Sequence, residues 1–168
     1  MAVLALNRLV PVVRRLRRRG KTVAFTNGCF DLLHTGHLDY LTRIKRKADC
    51  LIVAVNSDAS VKRLKKGPGR PVVPEKERAA LVAALKPVDY VTIFSEPTPL
   101  KVIRALKPDL LAKGGDWKPD RIVGRETVEA AGGRVLVIPF LKGHSTTRLI
   151  QQIQNSRHSR GSGNPSRT

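Results

Sequence analysis

Cysteine, aromatic and acidic residues are all scarce in this chain, and each scarcity excludes something. Cys29 and Cys50 are the only cysteines. Neither belongs to a CxxC or has a histidine at metal-ligand spacing, so neither a disulfide framework nor a zinc site is supported, and both are expected to be reduced thiols. No run approaches the ~18 uninterrupted apolar residues of a membrane span. The opening MAVLALNRLVPVVRRLRRRGK carries its apolar part before its charges, the reverse of a secretory signal, which leaves the cytoplasm as the expected compartment. Aromatic residues make up 4% of the chain, a poor supply for a surface that stacks single-stranded nucleic acid. Aspartate and glutamate total 13 against 32 lysines and arginines, a formal net charge of +19.

That excess by itself admits a nucleic-acid-binding protein acting through phosphate neutralisation. Much of it lies in RRLRRRGK (residues 14–21), RIKRK (43–47), KRLKKGPGR (62–70) and the polar C-terminal stretch. A solvated cationic surface and a cradle for a polyanionic small molecule account for these runs equally well. At 168 residues and 41% hydrophobic, the chain is long enough for one domain with a core and too short for two comfortable ones.

Five short apolar, β-branched runs recur: TVAFT (22–26), CLIVAV (50–55), YVTIF (90–94), LLAK (110–113) and RVLVIPF (134–140). They lack strict alternation, which suits strands buried on both faces. Between them, helical periodicity covers residues 36–47, 57–65, 74–85, 99–106, 121–131 and 145–154, with Ser57 and Ser145 as N-cap signals and Gly132 as a stop. Strand and helix alternate throughout. The order predicts a Rossmann-like, doubly wound, five-stranded parallel sheet in a three-layer α/β/α sandwich, preceded by an N-terminal helix. The domain is expected to span residues 1–154, followed by a disordered basic tail over 155–168.

In such a sheet, ligands sit beyond the carboxyl ends of the strands, near the point where strand order reverses. The segment NGCFDLLHTGH follows the first strand and occupies that position. Gly28 lets the backbone approach a ligand, Gly36 removes a side chain where a helix begins, and the amino end of that helix favours an anion. His34 and His37, at i and i+3, fall on one face of its first turn and can address the same anion. As metal ligands they lack an evident third partner, so no metal site is assigned.

The string TNGCFDLLHTGHLDYL resembles the signature of the nucleotidyltransferase superfamily that carries an HxGH motif. VNSDASVKRLKKGPGRPVVPEKERAALVAAL, LLAKGGDW and GHSTTRLIQQI are further similar to the D-glycero-β-D-manno-heptose 1-phosphate adenylyltransferase family, over about residues 3–153. That family occurs as the second half of a bifunctional ADP-heptose synthase or as a separate protein. The resemblance implies transfer of AMP from ATP to a heptose 1-phosphate, giving ADP-heptose and pyrophosphate for lipopolysaccharide core precursors. It implies Mg2+ carried with ATP, a homodimer and no specific nucleic acid. A cytidylyltransferase acting on a polyol phosphate such as glycerol 3-phosphate shares several of these elements and is the alternative chemistry.

Carried onto this sequence, the resemblance makes His34, His37 and Lys45 the catalytic groups, stabilising the triphosphate without acting as bases. The nucleotide is expected at Thr26, Asn27, Gly28, Phe30, Gly36, Arg78, Gly114, Gly115, Ser145, Thr146 and Thr147, the glycine pair offering a backbone platform for the base. The sugar phosphate is expected at Asp31, Asn56, Asp58, Lys65, Arg70 and Asp116. Asp31 is read as orienting a histidine or capping the helix, and Lys65 and Arg70 as flanking a loop over the phosphates. His144 has no assigned role, and Cys29 is assigned to packing.

Overall fold

The computed structural model describes residues 2–65, 67–115, 117–118, 121–141 and 143–158. All five expected strands form: β2 (Val23–Gly28), β3 (Cys50–Asn56), β4 (Tyr90–Phe94), β5 (Leu110–Gly114) and β6 (Arg134–Ile138). A sixth, β1 (Ala2–Val3), pairs with Tyr90 and Val91 of β4 at the sheet edge. Two residues carry no periodicity, so this strand exists only through its tertiary partner. Every pairing is parallel, and the order is β1-β4-β3-β2-β5-β6. The chain steps outward from β2 to β4, then returns to lay β5 on the other side of β2. The reversal falls between β2 and β5.

The near-continuous apolar strands are explained by a core on each face. Ala24, Leu51, Val53, Val55, Leu110 and Ala112 point one way, towards Leu41 and Ile44 of α2 (Thr35–Lys45) and Ala79 and Val82 of α4 (Glu75–Ala84). Their alternates Val23, Phe25, Ile52, Ala54 and Leu111 point the other way. They meet Leu9 and Val13 of α1 (Leu6–Arg18), Val102 and Ile103 of α5 (Leu100–Leu106) and Val128 of α6 (Arg125–Glu129). Each fully buried Leu, Ile or Phe contributes roughly 1.5–3 kcal/mol.

The short α3 (Asp58–Arg63) begins at Ser57, whose hydroxyl accepts from Ser60 N at 3.2 Å, the expected cap. The expected helix over 121–131 shortens to α6 because Gly124, at φ 90°, breaks the backbone just before it, while Gly132 (φ 81°) follows its end. The last helix, α7 (Thr146–His158), runs four residues past the boundary expected at 154. The remainder of the expected tail, residues 159–168, lies outside the described residues. Among the described residues no helix is long and apolar enough to cross a membrane.

Candidate functional site: a cleft at the strand-order reversal

A cleft of about 760 Å³ opens beyond the carboxyl ends of β2 and β5, where this topology places ligands. Its floor is the turn from β2 into α2. Phe30 takes a left-handed φ of 48° and folds its ring beneath Gly28, where a Cβ would lie 3.0 Å from its Cε2. The same ring sits 5.2 Å from that of His37.

His34 occupies the N-cap position of α2 in an extended conformation and makes no cap hydrogen bond, which leaves its ring for the cleft. His34 and His37 stack with centroids 3.9 Å apart and planes 25° apart. Gly36 is required between them: a Cβ there would come within 3.0 Å of His34 Nδ1 and of the His144 Cβ. His34 Nδ1 is a buried atom with no hydrogen-bond partner among the described residues. Burial first, and the neighbouring His144 second, hold the His34 pKa below 6.5. The free site therefore presents this imidazole as a neutral donor, ready for a negatively charged acceptor.

The opposite wall is the amino end of α7. Ser145 Oγ accepts from Arg148 N at 3.2 Å, the expected cap, while the Thr146 hydroxyl donates to Leu32 O at 3.3 Å. Thr147 also borders the cleft. Thr35 Oγ1 and His144 Nδ1 lie 3.1 Å apart, linking the starts of α2 and α7. Two helix amino ends and three imidazoles thus converge on one space, an arrangement suited to a polyanion.

Asn27, Gly28, Phe30, Asp31, Asn56, Arg70 and Gly114 also border the cleft, as expected. Several other expectations are corrected. Lys45 lies at the far end of α2, about 16 Å of helix away from His34, and binds Asp89 Oδ2 (2.6 Å) and Asp49 O beside the amino ends of the strands. Thr26 is fully buried, its hydroxyl 2.8 Å from Tyr40 Oη. Asp31 neither orients a histidine nor caps α2: fully buried, it accepts from Arg70 Nε (2.6 Å), Val72 N (2.8 Å) and Val73 N (3.0 Å). Arg70 is thereby fixed to the cleft floor.

Asp58 turns from the crevice to Arg78, at 2.6 Å. Arg78 is itself completely buried, and its other donors serve Val73 O and Cys29 O. It braces the cleft through Cys29, because each of its three guanidinium nitrogens donates to a group within the protein. Lys65 is exposed and stands apart from the cleft lining. Gly115 is covered by the ring of Phe140, and Asp116 lies outside the described residues.

Lys113, at the end of β5, donates from its ammonium to Asn27 Oδ1 inside the cleft. It ended the LLAK strand without being read as a site residue, although a cation at the carboxyl end of a strand beside the reversal was a usable signal. His144 was unassigned because a loop histidine declares no partner; only the fold sets it 6.4 Å from His34. Phe140 was likewise unannounced.

Residues 25–152 match the cytidylyltransferase-like family. Among curated proteins, the bifunctional protein HldE of Syntrophotalea carbinolica is 56% identical over 137 residues, 82% of this chain but 28% of that protein. The chain thus spans about three tenths of the length of the curated relatives it matches. The lipopolysaccharide core biosynthesis protein from Thermoplasma volcanium is 30% identical, covers 74% of this chain and all of its own, and superposes with a TM-score of 0.62. Pantoate-beta-alanine ligase from Francisella tularensis shares the fold alone, at 15% identity and a TM-score of 0.60, covering 100% of this chain and 82% of its own.

Proposed function

The chain belongs to the cytidylyltransferase-like family, and from that premise we propose that it is an adenylyltransferase acting on a heptose 1-phosphate in lipopolysaccharide precursor synthesis. The observation that carries the reading is the convergence of His34, His37 and His144 between the amino ends of α2 and α7. The similarity to bifunctional HldE proteins and to a lipopolysaccharide core biosynthesis protein supports the sugar and the pathway. An oxygen of the sugar phosphate attacks the α-phosphorus of ATP; the new P–O bond forms as the bond to the β-phosphate oxygen breaks, and pyrophosphate leaves with both electrons. The attacking phosphate is already anionic, so no general base is required.

In this reading the imidazoles donate hydrogen bonds to the triphosphate, each worth ~10² to 10³ in rate. Lys113 adds positive charge, the role first expected of Lys45, and Arg70, held by Asp31, offers its remaining N–H donors. Asn27, Asn56 and the glycine-lined floor receive the sugar and nucleotide. Among the described residues no group of three or more His, Cys, Asp or Glu could hold a metal, and the nearby Asp31 and Asp58 are engaged by arginines. Magnesium entering with ATP would be held by phosphate oxygens and water, and would supply neutralisation of phosphate charge. A homodimer belongs to the same proposal. The reading places the chain in the cytoplasm, with its substrates.

The test is incubation with ATP, magnesium and a panel of sugar 1-phosphates, with mass detection of the product. ADP-heptose is expected, together with a loss of at least 10²-fold in turnover for the His34→Ala, His37→Ala double variant. Transfer only from CTP to a polyol phosphate, or full turnover in the double variant, overturns the proposal.

A further inference from the structure

Resting on the adenylyltransferase reading, we propose that Phe140 is the platform on which the nucleobase stacks, with the Gly114 and Gly115 backbone as its backing. The chain has one tryptophan, two tyrosines and four phenylalanines. All are described, and only Phe140, at 65%, and Trp117, at 53%, are exposed; both border the cleft. The other phenylalanines are buried. A chain so poor in aromatics gains nothing for its core by leaving these two in water, whereas an open ring at the rim of a nucleotide-sized cleft supplies a flat apolar face.

The ring lies across the two glycines, one flank over each. A Cβ on Gly114 would fall 2.5 Å from its Cε1 and 3.3 Å from its Cδ1, and one on Gly115 would fall 2.6 Å from its Cε2 and 3.1 Å from its Cδ2. Any side chain at either position pushes the ring away. The glycine surface that sequence alone offers to a base is therefore taken by Phe140, and the face open to a ligand is the ring's other side. Phe140 is also anchored from behind. Gly115 N donates to Ile138 O at 2.9 Å, and the Arg43 guanidinium donates to Pro139 O at 3.2 Å, fixing the two residues before it. These ties favour a fixed platform over a plug that swings aside.

Because Trp117 is the only tryptophan and stands at the same rim, its fluorescence reports occupancy without any need for turnover. The experiment titrates ATP and, separately, tripolyphosphate into the wild-type chain, F140A and F140Y in the presence of magnesium, with calorimetry as a second readout. Circular dichroism verifies that each variant is folded. Stacking on one aromatic side chain predicts that F140A weakens ATP binding by about tenfold or more. Tripolyphosphate, which has no base, binds F140A and wild type alike, and F140Y recovers the affinity for ATP. Unchanged or tighter ATP binding by F140A overturns the platform, as does equal weakening of ATP and tripolyphosphate, which would make Phe140 a support for the loop. Wild type that binds no ATP overturns it as well. Failure of the adenylyl-transfer reading looks different: the stacking signature on ATP persists, but no sugar phosphate yields product.

Discussion

His34 shows how a side chain read as a ligand group is tuned by its surroundings. Burial and His144 both disfavour its charged form. A histidine with a depressed folded pKa contributes stability fully above about pH 6.5, the unfolded value, and that contribution is lost as pH falls through the folded value. NMR titration should find the His34 pKa below 6.5 in the free protein and moved back towards 6.5 in His144→Ala, which removes one of the two causes. Arg78 makes the opposite point, since it reads as a substrate-binding cation and serves as internal scaffolding. Arg78→Met leaves Val73 O and Cys29 O without their donor and Asp58 without its counter-ion. A loss of about 3 kcal/mol or more is expected by urea denaturation. Sequence gives the charge of Arg78, Asp58 and Asp31 but not the partner, and partnership decided whether each faced ligand or core.

At the scale of elements the chain was far more legible. The β4 boundaries are those expected, and the other long strands end within two residues of expectation, because apolar β-branched runs between turn residues have few other solutions. What was misread was direction and reach. Lys45 belongs to the same helix as His37, and shared membership suggested a shared site; but α2 descends the full depth of the sheet, so its ends serve opposite edges. Lys45→Met should therefore leave turnover within about twofold and cost roughly 0.5–1 kcal/mol, as for a half-exposed ion pair. Thermal denaturation and a pyrophosphate-release assay check the two halves of that statement.

For the molecule as a whole, composition set the charge and the fold located its use. Among the described residues of the four basic stretches, only the one over residues 62–70 sends a cation, Arg70, to the cleft, whereas the cations at the cleft also include Lys113, from a run that is otherwise apolar. A cationic total of +19 is a property of the surface; the site depends on where helices begin. The meeting of α2 and α7 has a mechanical corollary. Two like electrical poles are pressed together and clasped by Thr35 and His144, so the empty enzyme carries a repulsion that any inserted counter-charge relieves. Inorganic pyrophosphate alone, without base or sugar, should thus raise the melting temperature by a few degrees in low salt, and the gain should shrink as added chloride takes over the same task.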